Sequence, residues 1–211
     1  MAAGAGVRAM SFDPNDWFFK TTYFSTEADA ADFAKWTAML PKRSELTPYH
    51  CGAPNVNKFR LFLNLVHPVH LLEIGFNLGH SSMLWLNLGV ERVTSVDVRE
   101  NDPLLRAGVA AVREQFGSRF EFKFRRELTD EFLAGCRPAA IFIDGGHMRE
   151  DVAADIELGQ RLGVRHFFFD DFDLHHGPGV QPAIIEKRLM PQAIFANMAY
   201  CVPLDGWEKR E

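Results

Sequence analysis

The chain has 211 residues, of which 47% are hydrophobic and 24% are charged, a composition typical of a globular domain rather than a disordered chain. Its 23 basic and 28 acidic side chains give a net charge of −5, which disfavours nucleic acid as a partner. The apolar stretch at the N-terminus is too short for a secretory signal. The sequence contains no run of about 18 apolar residues, so no membrane-spanning helix is predicted. Three widely spaced cysteines without a CxxC pair argue against a disulfide framework and a cysteine zinc site, and they indicate a cytoplasmic location.

The first part of the chain is predicted to be helical, after a start that is rich in aromatic residues. The predicted elements are a helix over 26–40, a loop over 41–55 and a helix over 56–66. We interpret residues 1–65 as a lid or cap on the same domain, with its aromatic side chains, joined by Tyr49 and His50, facing a substrate. Two alternatives are that these aromatics pack onto the domain or that they form the interface of a homodimer.

From residue 66 onwards, strands alternate with helices. The predicted strands are 69–75, 92–98, 119–124, 139–144 and 164–170, and the predicted helices are 81–88, 103–116, 128–135, 148–162 and 179–190. The remainder, 193–211, suggests a strand or a terminal hairpin with Asp205-Gly206 as its turn. This order predicts an α/β domain over 66–211, with a Rossmann-like, doubly wound, mostly parallel sheet and helices on both faces. Ligands of such sheets bind outside the carboxyl ends of the strands.

The turn after the first of these strands is the most informative segment. Gly75 and Gly79 let the backbone approach a ligand closely, and the helix that follows offers free N–H groups to an anion such as a carboxylate. The dinucleotide fingerprint needs glycine at its first, third and sixth positions, which here are Gly75, Asn77 and His80. This mismatch disfavours a nicotinamide dehydrogenase. The alternative to a ligand-binding turn is a plain connection between strand and helix.

Asp97 closes the second strand, 22 residues after Gly75. In a doubly wound sheet, this position puts a carboxylate beside the first turn, where it can accept two hydrogen bonds from a ribose diol. The alternative is a surface acid that caps the next helix.

Further carboxylates follow the fourth and fifth strands. Asp144 ends the fourth strand, and Asp170 and Asp171 end the fifth, so neighbouring parallel strands could bring three carboxylates to one point. Such a cluster is unfavourable unless it is protonated or binds a cation, and oxygen ligands suit Mg²⁺, Mn²⁺ or Ca²⁺. Alternatively, one or two of these acids cap helices or pair with Arg149 or Arg165.

Two motifs in this order resemble class I S-adenosylmethionine-dependent methyltransferases. The first is the ExGxxxGxS pattern from Glu73 to Ser81, followed by the strand-ending acid. The second, IDGGH ending at His147, looks like the IDGxHxYxxVxxDL signature of small-molecule O-methyltransferases, a group with relatives of the catechol and caffeoyl-CoA enzymes and natural-product enzymes. The resemblance covers about residues 56–190. The chain departs from the signature at Met148, where Ser is common, and at Glu150, near the usual aromatic.

The resemblance implies a set of cofactor and metal contacts. The expected contacts to S-adenosylmethionine are Glu73, Gly75, Phe76, Asn77, Gly79, Ser81, Ser82, Asp97, Asp144 and Gly145, with Asp97 on the ribose. Mg²⁺ or Mn²⁺ would be bound by Asp144, Asp170 and Asp171 and would lower the pKa of the acceptor hydroxyl. Arg126 and Glu127 lie where the family contacts adenine, although the usual Gly-Asp-Ser type of sequence is absent there.

The candidate catalytic residues are Asp144 and His147, with His147 as a general base or, alternatively, a structural hydrogen-bonding group. His175 and His176 are further candidates for a base or ligand on the acceptor side.

The sequence therefore predicts an S-adenosylmethionine-dependent methyltransferase that acts on a small-molecule acceptor, through a hydroxyl and with a divalent metal. The alternatives are a non-catalytic partner protein that binds S-adenosylmethionine, and a methyltransferase for another class of acceptor. A nucleic-acid methyltransferase is disfavoured, because the fourth strand is not followed by an (Asp/Asn)-Pro-Pro-(Tyr/Phe) sequence and no basic stripe is present. Neither nucleic acid nor a membrane is expected as a partner.

Overall fold

The computed structural model describes residues 27–42, 54–195 and 197–204. The helices of this part are α1 (Glu27–Thr37), α2 (Pro54–Leu65), α3 (His80–Asn87), α4 (Pro103–Phe116), α5 (Asp130–Gly135), α6 (Arg149–Arg161) and α7 (Val180–Glu186). The strands are β1 (His70–Ile74), β2 (Arg92–Asp97), β3 (Phe120–Phe124), β4 (Ala140–Ile143), β5 (His166–Phe169), β6 (Leu189–Phe195) and β7 (Met198–Pro203). The aromatic start of the chain, Tyr49 and His50 lie outside the described residues. None of the described helices is long and apolar enough to cross a membrane.

All seven strands form one sheet in the order β3-β2-β1-β4-β5-β7-β6. The first five strands run parallel, and β7 runs antiparallel to both of its neighbours. The chain builds outward from β1 to β3 and then returns to place β4 on the other side of β1, so the order of the strands reverses between β1 and β4. The predicted doubly wound, mostly parallel sheet is confirmed, and its ligand crevice is expected at this reversal.

Both faces of the sheet are covered, which explains why the strands read as continuous apolar runs. Alternate residues of β1 enter different cores: Leu71 packs with the helices α1 to α4, whereas Leu72 packs with α6 and α7. On the first face, Phe59 of α2 lies 4.0 Å from Trp85, measured between ring centroids. Phe62 lies 5.1 Å from Phe168 in the same way, so α2 belongs to the core layer over the sheet.

The end of the chain differs from the prediction. Helix α7 ends at Glu186 rather than at residue 190, because Arg188 adopts a left-handed conformation (φ 55°) and β6 begins at once at Leu189. The apolar residues that were expected to continue the helix instead form a strand. The hairpin exists, but its turn lies between Phe195 and Met198, whereas Asp205-Gly206 lies outside the described residues.

A buried polar network fixes α3 to the sheet. Glu73 of β1 is fully buried, and its Oε2 accepts hydrogen bonds from the hydroxyls of Ser82 on α3 and Ser95 on β2. The two hydroxyls also contact each other at 2.9 Å. Burial raises the pKa of the Glu73 carboxyl, and the neighbouring serine hydroxyls lower it by less.

The turn after β1 lies directly against the end of β4. Gly75 has a φ of 98°, and a Cβ at this position would lie 2.0 Å from the carbonyl oxygen of Asp144. Its own N–H donates to the carbonyl oxygen of Val96 at 2.8 Å. Only glycine therefore satisfies both the conformation and the close approach of the two backbones.

We expect Gly75→Ala to destabilise the fold by about 3 kcal/mol or more, because backbone atoms must move in addition to the cost of the left-handed conformation. Gly89→Ala is the matched control, since Gly89 also has a positive φ (110°) but a Cβ added there would meet no atom within 4 Å. The control should cost only about 1–2 kcal/mol. Chemical denaturation of both variants checks the difference, and equal losses would contradict the close approach at Gly75.

We expect Glu73→Gln to change how stability depends on pH. The raised pKa means that the folded protein keeps this proton to higher pH than the unfolded chain, so its unfolding free energy falls as pH rises above about 4.5. Glu73→Gln removes that fall, and its stability relative to the wild type should increase as the pH rises above about 4.5.

Glu121→Gln is the control with the opposite sign. Burial acts to raise the pKa of Glu121, but its hydrogen bond with Arg92 and the charge of Lys123 outweigh burial and lower it. Stability should therefore fall in this variant at neutral pH and approach the wild-type value in acid. Denaturant titrations at several pH values measure both slopes, and a parallel response of the two variants would exclude this account.

Candidate functional site

The turn between β1 and α3 offers backbone groups to the crevice. Asn77 has a φ of 50°, and α3 starts at His80 after Gly79, which provides no side-chain cap for the first amides of the helix. Uncapped N–H groups at the start of a helix favour a carboxylate such as that of methionine. Ser81, half-buried in this first turn, remains a candidate contact.

Several predicted cofactor contacts direct their side chains into the protein instead. Glu73 and Ser82 are fully buried and bond to each other, and Phe76 is 1% exposed, with its ring packed against Phe120 and Phe122. A Cβ on Gly79 would lie 2.7 Å from the Phe76 ring, so this glycine makes room for the core rather than for the methionine group. At these positions the backbone, not the side chain, is what the turn can offer a ligand.

Asp97 lies at the carboxyl end of β2 beside the first turn, as predicted, and it is extensively hydrogen-bonded. Its Oδ2 accepts from the Asn77 N–H at 3.0 Å, and its Oδ1 accepts from the Arg99 backbone N–H at 3.0 Å. The Arg99 guanidinium donates to both oxygens. Burial acts to raise the pKa of Asp97, but the hydrogen bonds from Arg99 and Asn77 outweigh it and lower the pKa.

The end of β4 and the end of β5 bring a histidine and two acids together. One ligand atom from each of Asp144, His147 and Asp171 lies within 4.8 Å of the others. His147 Nε2 is 3.3 Å from Asp171 Oδ2. This differs from the predicted trio, because Asp170 is not in this group and its Oδ1 accepts a hydrogen bond from the Asp171 N–H at 3.0 Å. Asp171 has a left-handed conformation (φ 50°), and Asp170 uses its Oδ1 for the Asp171 N–H, although the charge of Asp170 still acts on Asp144.

The pKa values of Asp144 and Asp170 are both raised. For Asp144 the largest cause is burial, followed by the negative charges of Asp170 and Asp171. Burial also raises the pKa of Asp170, whereas the nearby Lys58 ammonium acts to lower it. The site therefore favours a proton or a cation.

Lys58 and Asn197 belong to this site, and sequence reasoning missed both. The Lys58 ammonium donates to Asn197 Oδ1 at 2.6 Å, and Asn197 Nδ2 donates to Asp171 Oδ1 at 2.9 Å. Lys58 comes from α2 and Asn197 from the turn between β6 and β7. Neither residue lies in a motif, and only the packing of α2 and the hairpin beside β5 brings them to the carboxylates.

The predicted adenine contacts have other partners. Arg126 pairs with Glu100 at 2.9 Å, and Glu127 Oε2 accepts from the Phe124 N–H at 2.6 Å. The residue before them, Arg125, reaches the buried Asp155 of α6. Another candidate for contact with adenine is Val98, which directly follows Asp97 and is 71% exposed.

The loop after β5 lies beside the loop after β4. His176 Nδ1 contacts Asp173 at 2.9 Å, so this histidine is held within its own turn, and the interaction raises its pKa. The Gly179 N–H donates to the His147 carbonyl oxygen at 3.0 Å and ties this loop to the loop after β4. Met148 and Leu174, on the two loops, are both more than half exposed and offer apolar surface to a ligand.

The donor atoms fit both groups that the resemblance implies. Two carboxylates and one imidazole within a single ion's reach suit Mn²⁺, and the carboxylates alone suit Mg²⁺. The uncapped start of α3 follows β1 and Asp97 ends the neighbouring strand β2, so both lie at the carboxyl ends of adjacent parallel strands, where ligands of such sheets bind.

Comparison with known proteins gives similarity at the level of structure. No protein-family model matches the chain, and no curated protein matches it in sequence. Among solved structures, a Podospora anserina methyltransferase, PaMTH1, bound to SAH has a TM-score of 0.60 at 12% identity, over 96% of this chain and 99% of that one. The cofactor-bound protein Rv0187 from MTB has a TM-score of 0.58 at 20% identity, over 89% of this chain and 95% of that one.

A third similar structure is the O-methyltransferase TomG from Streptomyces achromogenes, involved in tomaymycin synthesis and solved with SAM. Its TM-score is 0.59 at 14% identity, over 91% of this chain and 99% of that one. At such identities the similarity establishes the fold. The chain therefore has the Rossmann-like fold of class I S-adenosylmethionine-dependent O-methyltransferases.

Proposed function

We propose that the protein is an S-adenosylmethionine-dependent methyltransferase that methylates a hydroxyl group of a small-molecule acceptor. The observation that carries the proposal is the convergence at the reversal point of the sheet. There, the first turn, Asp97 and the group of Asp144, His147 and Asp171 all line the carboxyl ends of adjacent strands. A cofactor bound along the first turn and Asp97 would place its sulfonium methyl group beside Asp144, His147 and Asp171.

The cofactor would lie across the ends of β1 and β2. The first amides of α3 and Ser81 would hold its methionine carboxylate, and Asp97 would accept hydrogen bonds from its ribose. Asp144 and Gly145, which lie against the turn after β1, would lie beside its sulfonium end. A carboxylate here would attract the positive charge of the sulfonium and of the methionine amino group.

His147 would act as the general base. As the acceptor oxygen attacks the methyl carbon, the O–C bond forms and the S–C bond breaks with its electron pair, which leaves a neutral thioether. His147 Nε2 would take the acceptor proton, and the adjacent Asp171 carboxylate would stabilise the resulting imidazolium. Most of the rate enhancement would come from aligning the two reactants.

Asp144 and Asp171 would hold a divalent metal, with Asp170 as a further carboxylate ligand, which leaves Nε2 of His147 free to take the proton. A bound Mg²⁺ or Mn²⁺ would supply a Lewis acid that lowers the pKa of the acceptor hydroxyl. The raised pKa of Asp144 and the density of negative charge around it support a cation at this point.

A non-catalytic partner protein that binds S-adenosylmethionine is the alternative from another class. It needs the cofactor crevice but gives no reason for a histidine beside an aspartate at the reactive end. An assay that follows methyl transfer to a panel of phenols and sugars, with amines and thiols included as other acceptor classes, separates these two functions.

We expect S-adenosylhomocysteine to bind with a dissociation constant in the micromolar range and NAD not to bind, as measured by calorimetry. Asp97→Ala should weaken cofactor binding, by less than the roughly 1.5–3 kcal/mol of a hydrogen bond to a charged group, because Arg99 already donates to both oxygens of Asp97. Glu121→Ala is the control, because it removes another acid that pairs with an arginine, Arg92, at the far end of the same strand pair. Tight binding of NAD without S-adenosylhomocysteine would contradict the proposal.

We expect methyl transfer to stop in excess EDTA and to return with Mn²⁺ or Mg²⁺, because the carboxylates need a cation to orient the acceptor. Asp171→Asn should remove turnover and leave affinity for S-adenosylhomocysteine nearly unchanged, since Asp171 lies on the acceptor side. Full activity of a preparation shown by elemental analysis to be metal-free would rule out the metal.

His147→Ala should lower turnover by about 10²–10⁴-fold, with or without a metal requirement.

A further inference from the structure

The carboxylate of Asp97 is saturated by hydrogen bonds within the protein. Oδ2 accepts from the Asn77 N–H at 3.0 Å and from Arg99 Nη2 at 2.6 Å. Oδ1 accepts from the Arg99 N–H at 3.0 Å and from Arg99 Nε at 3.0 Å. A carboxylate offers about four acceptor positions in all. No position is left for two hydroxyl groups while all four donors stay in place.

The four donors differ in how readily they can leave. Two are backbone N–H groups, which the turn after β1 and the end of β2 hold in place. The other two belong to the Arg99 guanidinium, which makes a bidentate contact with one N–H on each oxygen. A vicinal diol also donates one hydrogen bond to each oxygen of a carboxylate. The guanidinium and a ribose diol therefore require the same two acceptor positions.

Arg99 can also move to a second anionic partner. Its side chain is 36% exposed, against 4% for Asp97, so it can move without opening the core. Its Nη1 donates to Asn77 Oδ1 at 3.0 Å and lies 3.9 Å from Oδ2 of Asp102. The other oxygen of Asp102 caps α4 through the N–H groups of Leu104 and Leu105. A guanidinium released from Asp97 would keep an anionic partner at the start of α4.

We propose that Arg99 is a specificity-determining residue that competes with the cofactor ribose for Asp97, so that binding moves its guanidinium towards Asp102. This inference rests on the proposed function, because it takes S-adenosylmethionine as the ligand of the crevice. The competition lowers the affinity for every ligand whose ribose must displace the guanidinium. Only a nucleoside with both ribose hydroxyls replaces the two hydrogen bonds that the Arg99 guanidinium donates to Asp97, and the one that Nη1 donates to Asn77 Oδ1 adds to the cost of displacement.

The test compares the wild type with Arg99→Met, which keeps an unbranched apolar side chain and removes the guanidinium. S-adenosylhomocysteine should bind about 5- to 30-fold more tightly to the variant in calorimetry, because no hydrogen bonds of Arg99 must break. Its 2′,3′-dideoxy analogue should bind both proteins equally, since it makes no hydrogen bonds to Asp97 and leaves Arg99 in place. The affinity of Arg99→Lys for S-adenosylhomocysteine should lie between those of the wild type and Arg99→Met, because an ammonium cannot make the bidentate contact.

A second readout separates competition from a structural role. Without ligand, Arg99→Met should melt at a lower temperature than the wild type, because Asp97 loses its ion pair. The rise in melting temperature on saturation with S-adenosylhomocysteine should nevertheless be larger in the variant. Arg92→Met is the matched control: it removes the guanidinium that pairs with Glu121 at the opposite end of β2, and it should change neither ligand's affinity.

Unchanged or weaker binding of S-adenosylhomocysteine to Arg99→Met would overturn the inference, as would an equal gain for the dideoxy analogue. Those outcomes leave the proposed function standing as long as the wild type binds S-adenosylhomocysteine. If neither the wild type nor Arg99→Met binds S-adenosylhomocysteine, the proposed function and this inference fail together. Binding by Arg99→Met alone would support the competition.

Discussion

The contact between the turn after β1 and the end of β4 is the constraint on which the site depends. The Asp144 N–H donates to the carbonyl oxygen of Ile74 at 2.8 Å, and Gly75 lies so close to the Asp144 carbonyl that any side chain would clash. The two loops are thus one unit at the reversal of strand order. Whatever fixes the cofactor turn also fixes the position of the first acid of the carboxylate group.

The negative charge of the site is balanced from elements that are distant in sequence. Asp144 and Asp170 are only partly exposed, and their burial favours the neutral forms and raises the pKa of each. The ammonium of Lys58, anchored on Asn197, lies close enough to oppose that effect. Because α2 packs in the aromatic core over the sheet, the N-terminal part of the chain contributes a charge to the site as well as apolar surface.

The carboxyl end of β2 has the opposite balance. Asp97 is held ionised, because hydrogen bonds from Arg99 and Asn77 outweigh its burial and lower its pKa. One acid of the crevice is therefore kept charged by the protein itself, while the acids at the other end favour a proton or a cation. The carboxyl ends of β2 and of β4 and β5 therefore offer two different electrostatic environments to a ligand.

The sequence alone determined the elements that depend on local patterns. Apolar runs with period-two or period-3.6 spacing located β1 to β5 and the helices between them, because burial dictates those residues. Gly75 and the strand-ending acids Asp97 and Asp144 were predictable for the same reason, since they follow buried strands. The end of α7 was not predictable, because the left-handed turn at Arg188 has no local signal and the apolar residues beyond it suit a helix as well as a strand.

Tertiary structure alone decided which groups meet and which way they face. Lys58 donates to Asn197, and Asn197 donates to Asp171, because a helix before the sheet and a hairpin after it pack beside the same strand. Lys58 and Asn197 are 139 residues apart, so no local pattern in the sequence indicates this contact. Phe76 and Ser82 lie inside the cofactor motif but turn inwards, since the sheet and α3 bury those directions. Hydrogen-bond partners such as Arg99 on Asp97 depend on side-chain direction, which spacing along a chain does not specify.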